Sequence, residues 1–233
     1  YVSERVRQSL MLRWKSSLKP AAAAPAVPTP DLLHWPLNDA AGTTIAASVG
    51  PGSTTSTGTL NGDYLYMDSG DAAFESSSTL TYGTNIVSVS FWFQTDNTSM
   101  YGSVFRSEIY SNTNMFQFYN GGGWKTLRVK GDSGYLEERV YDLLSANTWY
   151  HFVCVFDGST ASGDAKFYIN KVSQTLSNNS NTKTGTSNFA TAEFCMKGPY
   201  ATTGDFLMDD LRIYSGELTT SQIDAIYDAG RPS

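Results

Sequence analysis

The chain has 233 residues, which suits one large β-domain or two small domains, and only 16% of its residues are charged. No apolar run approaches the ~18 residues that a membrane-spanning helix requires. Two cysteines and two histidines exclude a disulfide-dense scaffold, a Cys-rich zinc site and a multi-histidine metal centre.

Residues 1–30 differ in charge from the rest of the chain. They carry +4 of a net charge of −6, which leaves −10 for the remainder. An acidic body of this kind argues against nucleic acid as the ligand, because phosphate binding requires a basic surface.

The first nineteen residues have an apolar side chain at every fourth position, which predicts an amphipathic helix in residues 1–19. We expect this helix to dock onto a partner protein assembly. Its apolar positions are Val2, Val6, Leu10, Trp14 and Leu18. An Arg-rich targeting peptide has a similar composition and is the alternative interpretation.

Residues 20–31 are rich in proline and alanine. Such stretches form extended, semi-rigid spacers, so this segment is predicted to be a tether.

From residue 32 to residue 233 the sequence predicts a β-sandwich. Short runs with period-two alternation are separated by Gly, Asn, Asp and Ser clusters, as is typical of antiparallel strands. Strands are predicted near 33–37, 63–67, 86–94, 102–108, 114–119, 124–130, 149–156, 165–170, 193–197 and 205–213.

Residues 86–94 show the alternation most clearly. Phe91 is one of the alternating residues whose side chains are predicted to face the core. Ser90 lies on the opposite face of the strand, where truncation to alanine is expected to have almost no effect on stability. Residues 149–156 are bulky on both faces, which predicts a central strand that is covered on both sides.

One helix is predicted near the end of the chain. Thr219 and Gln222 have the spacing of a capping box, Leu218 and Ile223 can pack around it, and Gly230 stands where a C-terminal glycine cap belongs.

Four parts of this sequence resemble the laminin-G-like domains of the concanavalin A-like lectins and glucanases. The similar segments are residues 33–42 (LHWPLNDAAG), 88–93 (SVSFWF), 149–158 (WYHFVCVFDG) with 167–170 (FYIN), and 206–214 (FLMDDLRIY). The resemblance covers most of residues 32–229. It implies an all-β jelly-roll sandwich of two antiparallel sheets, and it does not imply one function, because this fold hosts lectins, adhesion modules, glycosidases and structural subunits.

The glycosidases of this superfamily carry carboxylates in an E-x-D-x-x-E run along one strand, because two carboxyl groups on one face divide the nucleophile and acid roles. This chain has no such run, and Glu137-Glu138 and Asp209-Asp210 are adjacent pairs whose members lie on opposite faces of a strand. A Ser-His-Asp triad could in principle use His34 or His151. The resemblance implies a structural histidine at His151, and a hydrogen-bonded histidine in the core or at an interface is the preferred interpretation. We therefore expect no enzymatic activity.

The resemblance also implies calcium as a candidate cofactor, because family members often bind one ion at the edge of the sandwich. Asn38, Asp39, Asp209 and Asp210 could supply the oxygen ligands if the first and last strands are neighbours. An acidic position of the family motif reads Ala47 here, which removes one ligand. The alternative is that Asp210 pairs with Arg212.

Carbohydrate binding requires exposed aromatic rings with polar groups beside them. Trp124 follows a flexible glycine loop and is the leading candidate. The other candidate ligand-binding residues lie in or beside turn-rich segments, and they are Tyr101, Tyr119, Asn120 and Tyr135. Packing in the core is the alternative for each ring.

Two classes of function follow from these features. The first is a display or adhesion module, tethered by its N-terminal segment to an extracellular assembly such as a viral or phage particle, a fibre or a cell surface, and binding glycans or proteins. The second is a purely structural or accessory subunit with no glycan ligand. Either is expected to be extracellular or at the surface of a virion or cell, without a transmembrane segment and without nucleic acid as a partner.

Overall fold

The computed structural model describes residues 25–39, 42, 44–53, 58–68, 74–98, 100–107, 115–121, 123–131, 133–141, 144–162, 164–187, 189–196 and 205–231. The amphipathic helix predicted for residues 1–19 and the first part of the tether lie outside these ranges and stay predictions.

The described residues form seventeen strands, β1 to β17, and one helix, α1. In chain order the elements are Leu33–Trp35, Thr59–Leu60, Leu65–Met67, Phe74–Glu75, Leu80–Thr84, Ile86–Thr95, Tyr101–Ser107, Phe116–Gly121, Trp124–Lys130, Tyr135–Tyr141, Tyr150–Asp157, Asp164–Ile169, Val172–Ser173, Ser177–Asn181, Phe189–Ala192, Phe194–Met196, Phe206–Ser215 and the helix Thr220–Asp228.

The strands form two large antiparallel sheets. Sheet I has eight strands in the order β13-β12-β11-β6-β17-β3-β2, with β1 also paired to β17. Sheet II has seven strands in the order β14-β10-β9-β8-β7-β16-β4, and β15 pairs with β5 separately. The sandwich architecture expected from the sequence is confirmed, and the first and last strands are neighbours.

A cluster of phenylalanine rings joins the two sheets. Phe91 of β6 contacts Phe152 in sheet I, and it meets Phe105 and Phe118 of sheet II at ring-centroid distances of 5.4 and 5.7 Å. All four rings are fully buried, and Phe91 meets each of the other three edge to face, a geometry that favours aromatic pairs beyond the area they bury.

Helix α1 covers part of the outward face of sheet I. Its cap is as predicted, because the Thr219 side chain accepts a hydrogen bond from the Gln222 backbone and the Gln222 side chain accepts one from the Thr219 backbone. Gly230 has a φ of +80°, which suits glycine at a helix end. Ile223 and Ile226 pack with Val153 and Val155 of β11 in a second apolar cluster.

The expectation that Ser90 faces away from buried structure is wrong. Helix α1 covers this part of sheet I, so Ser90 is fully buried, and its hydroxyl forms a hydrogen bond of 2.9 Å with Nε2 of His151. The ring of Tyr227 on α1 lies 5.9 Å from the ring of His151. A strand that alternates polar and apolar residues is therefore buried on both faces.

The last residues of the predicted tether lie on the sandwich. Pro30 is buried, and the Asp31 carboxylate accepts hydrogen bonds from the backbone N–H and the hydroxyl of Ser215 in β17. The Tyr214 hydroxyl donates to the carbonyl of Pro28 at 3.3 Å. The chain therefore reaches sheet I along a defined path.

The two faces of β6 give a test of this packing. Phe91→Ala should lower the free energy of unfolding by about 3–5 kcal/mol, because it removes a large ring from a close-packed core. Ser90→Ala should cost about 1–2 kcal/mol, because it leaves a buried histidine nitrogen without its partner. Urea denaturation measures both, with the exposed Ser78→Ala as the control that should not change stability. Equal costs for Ser90→Ala and Ser78→Ala would contradict the burial of this face.

The burial of His151 predicts a loss of stability in acid. Desolvation lowers the pKa of His151 from 6.5 to about 4, with the charge of Asp210 opposing this shift and that of Arg212 adding to it. Above pH 6.5 His151 is neutral in both the folded and the unfolded chain and its burial is retained at full stability. As the pH falls from 6.5 toward 4, the unfolded chain binds a proton that the folded protein does not, and the stability decreases. The loss is about 3 kcal/mol, since one pH unit is worth about 1.4 kcal/mol.

Unfolding in urea at pH 7 and at pH 4 should show this effect, with His151→Gln as the comparison. The difference in stability between the two pH values should be about 3 kcal/mol smaller in the variant. The same pH dependence in both proteins would rule out His151 as the source.

Candidate functional site

The outward face of sheet II carries a row of polar and aromatic side chains. In β9 the inward residues Leu127 and Val129 are fully buried, so alternation turns Trp124 and Arg128 outward. In β10, Leu136 and Val140 face inward, which leaves Glu137 and Arg139 outward.

Glu137 is the centre of an ion-pair network on this face. Its carboxylate accepts hydrogen bonds from Arg128 and Arg139 and a bond of 2.6 Å from the Asn179 amide. Burial by itself raises the pKa of Glu137, but the hydrogen bonds and charges of Arg128 and Arg139 outweigh it and hold the pKa below its usual value. Glu137 is therefore a charged anchor for two arginines.

Each of these arginines also lies over an aromatic ring. The Arg139 guanidinium is 4.9 Å from the Trp124 ring centre, and that of Arg128 is 4.7 Å from the centre of Tyr135. Cation–π contact of this kind contributes about 0.5–1 kcal/mol at exposed sites. The network thus fixes the position of the Trp124 ring.

Gly121 leaves the space that the Trp124 ring occupies. A Cβ atom at position 121 would lie 2.2 Å from the indole Nε1. The indole therefore packs directly on the backbone at residue 121, and only glycine leaves room for it.

Beside Trp124 there is an open cavity of about 200 Å³. It lies where β9, β10 and β14 adjoin, and its lining residues are Trp124, Arg139, Tyr141, Ser177, Asn178 and Asn179. One half-buried ring, one guanidinium and two amides meet in this cavity. The Asn178 amide donates one hydrogen bond to Glu138 at 3.0 Å and the Asn179 amide donates one to Glu137, so among the described residues each amide has one N–H and its carbonyl oxygen left for a ligand. The ring can stack on a flat apolar surface, and these amide groups can bond to hydroxyl groups at its edge.

The structure brings only one of the predicted ligand residues into this cavity. Trp124 lines it, and Tyr119 and Tyr135 lie on the same outward face without lining it. Tyr101 is half exposed and meets the ring of Tyr119 at 5.1 Å, and burial raises the pKa of Tyr119. Asn120 is fully buried and donates to the Met100 carbonyl at 2.7 Å, so its amide faces the interior.

Sequence reasoning missed the partners of Trp124. Arg139 and Tyr141 belong to β10, which was not predicted as a strand because charged residues occupy its outward positions. The spacing of Leu136 and Val140, which places both side chains on the same face of a strand, could have indicated β10. Asn178 and Asn179 lie in the polar strand β14, whose sequence has no apolar alternation.

Comparisons with known proteins agree with this architecture. A family model described as the concanavalin A-like lectin/glucanases superfamily matches residues 67–224, which is more than half of the chain. The chain belongs to this superfamily. A search of curated proteins finds no match.

Several solved structures share the fold of this concanavalin A-like domain. The binding domain of botulinum neurotoxin serotype C1 is 12% identical with a TM-score of 0.62, and the match covers 86% of this chain and 52% of that one. The serotype D ligand-binding domain in complex with N-acetylneuraminic acid is 14% identical, with a TM-score of 0.61 and coverages of 86% and 51%. This chain thus spans about half the length of those domains, and at these identities the likeness concerns the fold. No described helix is long and apolar enough to cross a membrane.

The predicted calcium ligands do not form one site in this concanavalin A-like domain. Asp210 bonds to His34 at 2.8 Å and to Arg212 at 2.9 Å, as the alternative interpretation expected, and Asp209 bonds to Arg231 at 3.0 Å. A cation of the protein already balances each carboxylate, which does not fit a calcium ion there.

The remaining predicted ligands do not complete a site either. Asp39 accepts a hydrogen bond from the Ala46 backbone at 2.9 Å, and Asn38 is exposed. No cluster of three His, Cys, Asp or Glu side chains that could hold a metal occurs among the described residues.

The two aspartates have separate partners because β17 contains a bulge. The pairing of β17 with β6 shifts register between Asp209 and Arg212, and Asp210 has a φ of +50°. A bulge re-aims neighbouring side chains. Burial raises the pKa of Asp209 to about 7, against the opposing charge of Arg231.

One chain of hydrogen bonds resembles a Ser-His-Asp triad. The Ser48 hydroxyl lies 2.6 Å from Nδ1 of His34, whose Nε2 lies 2.8 Å from Asp210. Serine hydrolases use the opposite ring nitrogens, with Nε2 toward the serine. The Ser48 backbone N–H bonds to the His34 carbonyl at 3.0 Å and so does not serve an oxyanion. These contacts join the β1 segment to β17.

The network around Glu137 generates a prediction for stability. Glu137→Ala should cost about 2–3 kcal/mol, because it leaves two arginines without their acceptor. Because the pKa of Glu137 is lowered in the folded protein, its charge stabilises the fold above the usual glutamate pKa, and the wild type loses this contribution as the pH falls. Glu137→Gln carries no charge at any pH, so it should lack this pH-dependent part of the stability. Thermal unfolding at pH 7 and pH 3.5 measures this, and an unchanged melting temperature for Glu137→Ala would contradict the network.

Proposed function

We propose that this domain is a non-catalytic, lectin-like module that binds glycans on the outward face of sheet II, at the Trp124 cavity. The observation that carries this proposal is the half-buried indole, fixed by Arg139 and Gly121, beside the amides of Asn178 and Asn179. Sugar rings present an apolar face for stacking and hydroxyl groups around their edge, and this cavity offers partners for both.

The charge of this face favours saccharides that carry a carboxylate or another acidic group. Arg139 lines the cavity, Arg128 and Arg139 flank the carboxylate of Glu137, and the carboxylate of Glu138 is held by the amide of Asn178. Burial and the positive charges of Arg128 and Arg106 lower the pKa of Lys130, which lies at the other end of β9 from Trp124. The neurotoxin relative in complex with N-acetylneuraminic acid, an acidic sugar, is in keeping with this preference.

The proposal includes attachment through the N-terminal segment. Residues 1–30 would join the domain to a larger extracellular assembly, such as a viral or phage particle, a fibre or a cell surface, with Val2, Val6, Leu10, Trp14 and Leu18 as the docking face. The contacts of Pro28 and Asp31 with β17 support a tether that leaves sheet I in one direction. A structural subunit without a glycan ligand is the alternative.

Binding to a glycan array separates the two alternatives. The full chain should bind acidic glycans, and the affinity for the strongest of them should fall by about 10- to 100-fold in Trp124→Ala, because a stacked ring is worth about 1.5–3 kcal/mol. Tyr135→Ala is the matched control, since Tyr135 also lies under an arginine on this face but does not line the cavity. Its affinity should be unchanged.

Two outcomes contradict the proposal. No binding to any glycan by a folded wild-type protein would favour the structural subunit. Equal loss of affinity in Trp124→Ala and Tyr135→Ala would show that the cavity does not select the ligand. The melting temperature of each variant verifies that it is folded.

A further inference from the structure

A second cavity, of about 260 Å³, opens on the outward face of sheet I. It lies over a row in which Leu207 of β17 pairs with Tyr66 of β3 on one side and with Gln94 of β6 on the other. The polar residues that line it are Tyr64, Tyr66, Gln94, Asp96, Asn147 and Asp205. Helix α1 covers the neighbouring part of this face and leaves the cavity open.

The aromatic wall of the cavity is held in place. The Tyr66 hydroxyl donates a hydrogen bond of 2.6 Å to Asp205, and the Tyr64 ring packs on Trp149 at a centroid distance of 5.9 Å. The Arg231 guanidinium covers the Trp149 ring at 4.7 Å. This guanidinium is itself fixed by the carboxylate of Asp209 and by a backbone carbonyl. Two tyrosine rings therefore stand at defined positions.

The opposite wall presents polar groups that the protein does not use. The side chains of Gln94, Asp96 and Asn147 make no hydrogen bond within the described part of the chain. Asn147 is positioned by its backbone, which has a φ of +56° and donates to the Thr95 carbonyl at 2.8 Å. Two amides and a carboxylate thus face the two rings.

We propose that this cavity is a second saccharide-binding site and that it takes a neutral sugar residue. Tyrosine rings can stack on the apolar face of a sugar ring, and amides both donate to and accept from hydroxyl groups. The volume lies just below the ~300 Å³ at which pockets for drug-sized ligands begin, so one sugar residue of a longer glycan is the fitting size.

The charges of the cavity decide which sugars it accepts. Asp96 and Asp205 line it and none of its described lining residues is cationic, so an acidic sugar would meet like charge. The hydrogen bond to Asp205, burial and the charges of Asp205, Asp68 and Asp96 raise the pKa of Tyr66 to about 12, in agreement with a negative field. An ammonium ligand would use only acceptors and leave the amide donors of Gln94 and Asn147 without partners.

This site goes beyond the function proposed above, because it lies on the other sheet. The outward faces of two packed sheets point in opposite directions, so one domain can hold an acidic glycan on one side and a neutral glycan on the other. Two independent sites allow the domain to bridge two glycans and to gain avidity on a surface that carries both.

Saturation-transfer NMR on the full chain tests this second site. The probes are the methyl glycosides of glucose, galactose, mannose and N-acetylglucosamine, with the methyl glycoside of N-acetylneuraminic acid and tetramethylammonium as charged comparisons. At least one neutral glycoside should bind, and its affinity should fall about tenfold in Gln94→Ala, which loses one hydrogen-bonding amide. Tyr66→Phe is a second variant, since it removes only the hydroxyl and keeps the ring.

The matched control is Trp124→Ala, which should leave neutral-sugar binding unchanged. The proposal is overturned if none of the four neutral glycosides binds, if Trp124→Ala abolishes their binding while Gln94→Ala does not, or if tetramethylammonium alone occupies the cavity. Loss of the acidic-glycan signal in Trp124→Ala with retained neutral-sugar binding would separate the two sites.

Discussion

The contact between the two sheets through phenylalanine rings is the constraint on which the rest of this structure depends. Phe91 and Phe152 from sheet I interlock with Phe105 and Phe118 from sheet II. Rings of this size pack closely and fill the space between the two sheets where they meet. Both cavities described above lie on outward faces of the sandwich.

The outward faces of the two sheets differ in how far helix α1 covers them and in the polar residues that line their cavities. Helix α1 covers the part of sheet I where Ser90, Trp92 and His151 are buried, and the cavity beside Tyr66 and Gln94 stays open. No described helix covers sheet II, where Arg128 and Arg139 pair with Glu137. The cavity on sheet I is thus lined by two aspartates and two amides, and the cavity on sheet II by one arginine, two amides and a fixed indole.

The same electrostatics give three carboxylates of this domain arginine partners. The acidic residues that the sequence offered for metal or acid–base chemistry include Asp209, Asp210 and Glu137. Each of these carboxylates bonds to at least one arginine. For Asp210 and Glu137 these partners lower the pKa and stabilise the charged carboxylate, whereas burial raises the pKa of Asp209 to about 7 against the opposing charge of Arg231. A saccharide, in contrast, needs only a fixed ring and polar groups at its edge.

The sequence by itself determined the sandwich, ten of its strands, the capped helix and the outward position of Trp124, because apolar periodicity and capping residues act over a few neighbouring positions. Only the tertiary structure decided which outward residues meet. Period-two alternation assigns a face to each residue but not the register between strands, so the pairing of Trp124 with Tyr141 and the row of Tyr66, Leu207 and Gln94 follow from long-range packing. A bulge, which local pattern does not reveal, likewise gave the adjacent Asp209 and Asp210 their separate partners.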